Sequence, residues 1–137
     1  MKILNSQIAQ RKMRQVISFE VEEFWAIALA SNKKILSIEC LFRGTVDACL
    51  IHPRDIFRFA CRHNASGLIV AHSHPTGDAF PSDADLSITA KLMLASEIFQ
   101  IPILDHLILT KTSYISFLDR GLLGETLDSV FADSHTF

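Results

Sequence analysis

The segment GLIVAHSHPTGDAFPSDADLSITAKL, residues 67–92, decides the fold of this chain. It opens with an uninterrupted apolar run ending at His72, which is typical of a central strand covered on both faces. After a loop through Pro81, apolar residues return at intervals of four, and this spacing predicts a helix over residues 83–99. The residues at this spacing are Leu86, Ala90, Leu94 and Ile98. The segment therefore predicts a buried strand that leads through a histidine-bearing loop into a helix.

The flanking sequence supplies further helices and strands on both sides. Pro53 suits the first position of a helix, and the turn-compatible residues 31–34 separate two apolar runs, as in a hairpin. The predicted elements are helix 6–17, strands 23–30 and 35–43, a short strand after Gly44, helix 53–63, strand 67–72, helix 83–99, and strands 101–110 and 113–121. Helices inserted between runs of mostly neighbouring strands predict an α/β sandwich with a mixed sheet, not a repeating doubly wound pattern.

The composition describes one folded domain. The chain has 137 residues, of which 49% are hydrophobic and 20% are charged. This length can bury a single hydrophobic core, and this composition is that of a globular protein. The formal net charge of −2 provides no overall excess of positive charge for binding nucleic acid or anionic lipid. We therefore expect one globular domain with no membrane partner.

The sequence also predicts where the protein resides. No apolar run reaches the roughly 18 residues that a membrane span needs, and the amino terminus does not have the pattern of a secretory signal. The three cysteines, Cys40, Cys49 and Cys61, have no CxxC spacing and stand among apolar neighbours, which predicts buried, reduced thiols. Both observations predict a cytoplasmic protein.

Two histidines stand one residue apart at the end of the central strand. In an extended segment alternate side chains point to the same side, so His72 and His74 can present both imidazoles to one point. A catalytic zinc site needs three protein ligands and leaves the fourth position to water. Asp85, at the start of the predicted helix, is the natural third ligand, and Asp83 is the near alternative.

Ser82 and Asp85 also have a purely structural interpretation. Ser82 stands at the expected N-cap of the helix, and an acidic residue three positions later is close to a capping box. A carboxylate at this position also lies near the positive end of the helix dipole. The pair alone is therefore more typical of a helix start than of a catalytic site.

The combined pattern resembles a known signature. HSHPTGDAFPSDAD is similar to the HxHP…PSxxD metal motif of the JAMM (MPN+) metallohydrolases. The stretches ECLFRGTVDACLIHPRDIFRFACRHNASGLIVAHSHPTGD, IPILDHLIL and SYISF resemble RadC-type proteins in particular. The likeness covers about residues 20–124, with Ser73 where RadC proteins usually carry asparagine.

The resemblance implies a fold and a division of the chain. The fold is the JAMM/MPN sandwich, which is of the cytidine-deaminase-like type, with helices flanking a central mixed sheet. It divides the chain into a helical lead-in at residues 1–19, the RadC-like JAMM/MPN domain at 20–124 and a tail at 125–137. RadC proteins commonly begin with a helix-hairpin-helix region, whereas only some twenty residues precede the JAMM-like part here. We therefore expect a stand-alone catalytic domain.

The resemblance also implies a set of functional residues. Zn²⁺ would be held by His72, His74 and Asp85, and Ser82 would hydrogen-bond the oxyanion. A glutamate near the first strand would activate the water, and FEVEEFW, residues 19–25, offers three candidates, Glu20, Glu22 and Glu23. Spacing to the following phenylalanine in RadC-like sequences favours Glu22, whereas other JAMM proteins favour Glu23. Neighbouring residues of one strand point to opposite faces, so only one of these two can reach the metal.

The implied activity is hydrolysis of a peptide or isopeptide bond in a peptide or protein substrate. The alternatives are a non-catalytic MPN scaffold and a RadC-type module associated with DNA repair. A homodimer is a further expectation, because JAMM domains often pair with one another. Arg54, Arg58 and Arg62 lie on one face of the predicted helix and could contact phosphates, but the acidic balance favours a solvated face.

Four other polar residues have simpler interpretations. We expect Asp105 and His106 to be structural groups near a strand end, although both are typical of RadC-like sequences. His52 and His63 flank a helix, and we expect surface positions for both.

Overall fold

A computed structural model describes residues 1–44 and 51–124 of the chain. Its helices are α1 (Ser6–Arg14), α2 (Pro53–Arg62) and α3 (Asp83–Phe99), and residues 122–124 are helical as well. Its strands are β1 (Glu23–Leu29), β2 (Ile35–Arg43), β3 (Gly67–Ser73), β4 (Ile103–Leu109) and β5 (Tyr114–Ser116). The strand expected after Gly44 and the tail at 125–137 lie outside the described residues.

The five strands form one mixed sheet in the order β2-β1-β3-β4-β5. Only β3 and β4 pair in parallel; the pairs β1/β2, β1/β3 and β4/β5 are antiparallel. A parallel pair needs a crossover connection, and α3 provides it between β3 and β4. The predicted α/β mixed sheet is confirmed, and β3 is the central strand, with all seven of its residues buried.

Alternation along the strands separates two hydrophobic layers. Leu68 and Val70 of β3 pack in a cluster with residues of α2 and α3, whereas Ile69 and Ala71 pack on the other face with α1. Because side chains alternate in a strand, His72 belongs to the same face as Leu68 and Val70. The central strand therefore aims His72 at the layer that contains α3.

Most predicted bounds are confirmed within about two residues. The exceptions are β5, which spans only Tyr114–Ser116 where the sequence predicted 113–121, and α1. Helix α1 ends at Arg14, three residues before the predicted end at 17, and Gln15 forms its C-cap. Val16 is 42% exposed, while Ile17 is buried only after the chain has turned. The apolar spacing continues past the end of the helix because Ile17, in the segment that follows, is also buried in the core.

Helix α3 has the predicted bounds but a different buried face. Ile98, one of the apolar residues that predicted the helix, is 82% exposed. The inward positions include the polar residues Asp85 and Thr89, which are both buried. An apolar pattern cannot identify this face, because some of its buried positions are polar.

The cysteine prediction is corrected in part. Cys61 is exposed and Cys40 is half-buried; both are free thiols. Cys49 lies outside the described residues. The error arises because Cys61 stands on the outer side of α2, although its sequence neighbours are apolar. Within 1–44 and 51–124, no helix is long and apolar enough to cross a bilayer.

Candidate metal site

The ends of β1 and β3 bring the predicted functional residues together. Phe24 pairs with His72 across the antiparallel β1/β3 ladder. Alternation then places Glu22, two residues before Phe24, on the same face, opposite the continuation of β3 toward His74. These residues line a cleft of about 180 Å³, and its polar lining is Glu22, His72, His74, Thr76, Ser82 and Asp85.

His72, His74 and Asp85 converge with their ligand atoms in contact. The Nε2 atoms of His72 and His74 are 2.9 Å apart. His72 Nε2 lies 2.9 Å from Asp85 Oδ1, and His74 Nε2 lies 3.1 Å from Asp85 Oδ2. Ligand atoms of a tetrahedral zinc with bonds of roughly 2.0–2.1 Å are separated by about 3.3 Å. Two imidazoles and one carboxylate at this spacing fit a metal ion of this kind, and the three residues form a group that could hold one.

The start of α3 confirms the capping box and shows that it coexists with the metal group. The amide of Asp85 donates to Ser82 Oγ at 3.1 Å, and the amide of Ser82 donates to Asp85 Oδ2 at 2.8 Å. Asp85 Oδ2 therefore serves both the helix start and the contact with His74. Asp83, the alternative ligand, is exposed and is not a member of the group.

The two histidines dominate the electrostatics of Asp85. Burial acts to raise the pKa of the Asp85 carboxyl, but hydrogen bonds from His72 and His74 outweigh it and hold the pKa well below its usual range. Burial acts to lower the pKa of His74, and the hydrogen bonds to Asp85 and Asp78 with the charges of Asp85 and Glu22 raise it overall. The two imidazoles therefore stabilise the ionised form of the Asp85 carboxyl, which is the form that can bind a metal.

Glu22 and Glu23 point to opposite sides, as strand geometry requires. The carboxylate of the buried Glu23 accepts from the Ser18 amide at 2.7 Å and from Trp25 Nε1 at 2.9 Å, and it pairs with Arg43 at 3.2 Å. These contacts lie on the face that α1 covers. Glu22 lines the cleft with the two histidines.

Ser73, between the two histidines, holds the segment that carries Glu22. Its hydroxyl donates to the Val21 carbonyl at 3.2 Å and accepts from the Glu23 amide at 3.1 Å. Both groups flank Glu22 in the chain. The sequence alone assigned no role to Ser73. Because side chains alternate along a strand, its position between His72 and His74 indicates that Ser73 points to the opposite face of the sheet.

A third histidine, His106, lies behind the candidate metal ligands. His106 of β4 is fully buried, and its Nε2 lies 2.9 Å from Nδ1 of His72. The ring of Phe117 stacks on His106 at 4.5 Å between centroids. Burial, together with the nearby His72, lowers the pKa of His106 well below its ordinary value. His106 was expected to be a structural group. It also contacts His72, a member of the candidate metal group, directly.

Asp105 anchors the strand segment that bears His106. It is 3% exposed; its Oδ1 accepts the amides of His106 and Leu118 at 2.8 and 3.0 Å, and its Oδ2 accepts the Ser116 hydroxyl at 2.6 Å. Burial nevertheless raises the pKa of the Asp105 carboxyl, although these hydrogen bonds oppose the shift. This residue is structural, as the sequence led us to expect.

The arginines and the outer histidines lie away from the cleft. Arg54 and Arg58 are exposed beside Asp55, while Arg62 pairs with Glu39 at 2.6 Å. These partners account for part of the positive charge of the stripe. His52 is exposed and His63 is half-buried, and neither belongs to the group of potential metal ligands.

Comparison with known proteins identifies the family of the chain. A family model described as a RadC-like JAB domain matches residues 3–122. The chain belongs to this family. The family resemblance seen in the sequence is thereby confirmed, and it extends across α1 as well as the sheet.

Curated relatives of this RadC-like chain carry the name UPF0758 protein. The relative from Symbiobacterium thermophilum is 42% identical over 103 residues, which cover 75% of this chain and 44% of that protein. The relative from Flavobacterium johnsoniae is 39% identical over 122 residues, covering 88% of this chain and 53% of the relative. The RadC-like chain thus spans about half the length of these relatives, and their printed names state no activity.

Proposed function

We propose that this RadC-like domain is a zinc-dependent metallohydrolase that cleaves a peptide or isopeptide bond. The observation that carries the proposal is the convergence of His72, His74 and Asp85 in one cleft with Glu22 and Ser82. A site that only stabilised the fold would not require a glutamate and a serine hydroxyl at the open side of a metal-ligand group.

The donor set favours zinc over a harder cation. Two imidazole nitrogens and one carboxylate are the three protein ligands found in several catalytic zinc sites, whereas Mg²⁺ and Ca²⁺ prefer oxygen donors. Zinc bound here would supply a water of lowered pKa, close to about 7, and would polarise a substrate carbonyl.

Glu22 would be the proton carrier of the reaction. Its carboxylate takes a proton from the attacking water as the new C–O bond forms, and it returns that proton to the leaving nitrogen as the C–N bond breaks. Glu23 is unsuited to this role, because its carboxylate is committed to Ser18, Trp25 and Arg43 on the other face.

Ser82 would stabilise the oxyanion that develops on the carbonyl. Its oxygen accepts the Asp85 amide, and a hydroxyl that accepts one hydrogen bond still has its own O–H to donate. Ser82 is exposed at the rim of the cleft, where a substrate carbonyl can reach it. The capping role therefore holds the oxygen in place while the hydrogen is directed to the substrate.

The first experiment measures metal content in protein purified without metal-affinity resin. We expect near one zinc per chain in the wild type, loss of zinc in His72→Ala and Asp85→Ala, and retention in the control Asp83→Ala, which changes an exposed aspartate of the same helix turn. No zinc in the wild type, even after zinc is supplied, would overturn the hydrolase proposal.

The second experiment tests turnover with the zinc-loaded protein. Cleavage of a peptide library, including lysine-isopeptide bonds, should be lost in Glu22→Gln while zinc content stays at the wild-type value. Ser82→Gly, which costs a helix cap only a few tenths of a kcal/mol, should also slow cleavage, and Ser82→Thr should retain it. Zinc binding without cleavage of any library member would instead favour a non-catalytic MPN scaffold.

A further inference from the structure

A continuous chain of hydrogen bonds runs behind the metal site. The Thr89 hydroxyl lies 2.7 Å from the main-chain carbonyl of Asp85 and 2.5 Å from Nδ1 of His106. Nε2 of His106 lies 2.9 Å from Nδ1 of His72. His72 then presents its other nitrogen to the metal group. All four residues are buried.

The position of each hydrogen in this chain follows from counting donors. A hydroxyl has one hydrogen, and the Asp85 carbonyl can only accept, so the 2.7 Å contact requires Thr89 to donate to that carbonyl. If Thr89 donated to His106 instead, two oxygen lone pairs would face each other at 2.7 Å in a buried site. Thr89 must therefore accept from Nδ1–H of His106.

The same count of donors and acceptors determines the tautomers of His106 and His72. His106 has used its hydrogen at Nδ1, and within residues 1–44 and 51–124 its ring hydrogen-bonds no carboxylate that would stabilise a second one. Its Nε2 is therefore an acceptor. Nδ1 of His72 must then carry the hydrogen that fills the 2.9 Å contact. Nε2 of His72, which contacts the Asp85 carboxylate in the metal-free protein, is then the nitrogen whose lone pair a metal would take.

We propose that His106, oriented by Thr89, is a positioning residue that holds His72 in the one tautomer able to bind a metal through Nε2. The inference rests on the metal site of the proposed function and adds two residues outside its ligand set. Outer-shell partners of metal-bound histidines are usually carboxylates, carbonyls or water. A neutral histidine can accept this hydrogen bond only if the nitrogen that faces His72 carries no hydrogen. Thr89 ensures this by accepting the hydrogen on the other ring nitrogen of His106.

The arrangement also couples two ligands that lie on different elements. Asp85 and Thr89 are one turn apart on α3. The Thr89 hydroxyl that orients His106 therefore also donates a hydrogen bond to the main-chain carbonyl of Asp85. His72 on β3 is therefore joined to Asp85 on one side through the ligand atoms and on the other through His106 and Thr89. A shift of α3 relative to the sheet would disturb both connections at once.

Zinc affinity of matched variants tests the proposal. We expect Thr89→Val, which is close in shape and lacks the hydroxyl, to bind zinc about 10- to 100-fold more weakly in competition with a chromophoric chelator. Thr89→Ser restores the hydroxyl and should bind within about threefold of the wild type, since the loss belongs to the outer-shell partner. Likewise His106→Gln, whose side-chain oxygen can accept from His72, should bind more tightly than His106→Leu.

A spectroscopic measurement separates orientation from a general loss of stability. Proton–nitrogen correlation spectra of the imidazoles in the metal-free wild type should show His106 protonated at Nδ1 and bare at Nε2, with His72 protonated at Nδ1. A His106 ring protonated at Nε2 would overturn the proposal, whatever the zinc content. Thr89→Val should change this pattern, whereas Thr89→Ser should preserve it.

The outcomes also separate this inference from the proposed function. Wild-type zinc binding that is equally tight in Thr89→Val and His106→Leu would overturn the positioning role and leave the hydrolase proposal intact. A wild type that shows the expected tautomers but binds no zinc would overturn the hydrolase proposal, and with it the metal-positioning role of His106.

Discussion

His72 and His74 stand two residues apart and contact the same carboxylate, but their surroundings differ. His72 is 2% exposed, stacks on Phe24 and contacts His106, so the core holds it. His74 is only half-buried, and its Nδ1 donates to the Asp78 carbonyl of the following loop at 2.9 Å. The core therefore fixes the position of one candidate ligand, whereas the position of the second depends on the conformation of a loop.

The same division separates the remaining polar groups. Those behind the ligands, Asp105, His106 and Thr89, are buried and hydrogen-bonded to main chain or to other buried side chains. Those in front, Glu22 and Ser82, border the cleft. Substitutions behind the ligands should change the free energy of unfolding and, at Thr89 and His106, the zinc affinity as well. Substitutions in front should mainly change the chemistry.

The largest expected effect distinguishes Glu22 from Glu23. Glu22→Gln should reduce the turnover of any cleaved substrate by about 10²- to 10⁴-fold, the contribution of a general acid–base group, with little change in the free energy of unfolding. Glu23→Gln should lower the free energy of unfolding by about 1–3 kcal/mol through its weakened contacts with Ser18, Trp25 and Arg43 while turnover persists. Steady-state kinetics and urea unfolding measure the two effects; the reverse assignment would show that Glu23 is the proton carrier.

Asp105 should produce the largest change in stability behind the ligands. Asp105→Ala leaves the His106 and Leu118 amides and the Ser116 hydroxyl without their acceptor in a buried site, which should cost about 3 kcal/mol. Asp105→Asn retains one oxygen for the two amides and should cost less. Equal losses in the two variants, measured by urea unfolding, would mean that the amides do not depend on this oxygen.

Removing each histidine from the metal-free protein tests the opening contrast directly. His72→Ala should lower the free energy of unfolding by about 2–3 kcal/mol, because it opens a cavity beside Phe24 and removes the partner of His106. His74→Ala should cost about 1 kcal/mol or less, since its ring is partly in solvent. Similar losses of unfolding free energy in the two variants would show that the loop holds His74 as tightly as the core holds His72.

The smallest expected effect is a pH dependence of Asp105. Because burial raises its folded-state pKa above the ordinary 3.8, the folded state binds more protons in this range, and stability from this group falls as pH rises from 3.8 through the raised value. Asp105→Asn lacks this titration. The wild type should therefore be favoured over Asp105→Asn more at about pH 4.5 than at about pH 7, as measured by urea unfolding. An advantage that grew with pH would mean that the hydrogen bonds to the carboxylate outweigh burial.

The elements that local chemistry specifies were predictable. α3 has its predicted bounds, because Ser82 and Asp85 form a capping box at its start and Pro102 follows its end. β3 was identified as the central strand because a continuous apolar run suits burial on both faces. The end of α1 was misplaced by three residues, since a buried Ile17 beyond the turn extended the apolar pattern.

The sequence by itself determined the residues that form the metal group, because two histidines at strand spacing and an aspartate at a helix start are local patterns. It could not determine their support. His72 and His106 are separated by 34 positions, and only the parallel pairing of β3 with β4 places one ring behind the other. Thr89 reaches His106 only because α3 packs its polar face onto that sheet. Hydrogen bonds between distant segments leave no periodic trace in a sequence, so the tertiary structure alone decided which tautomer His72 adopts.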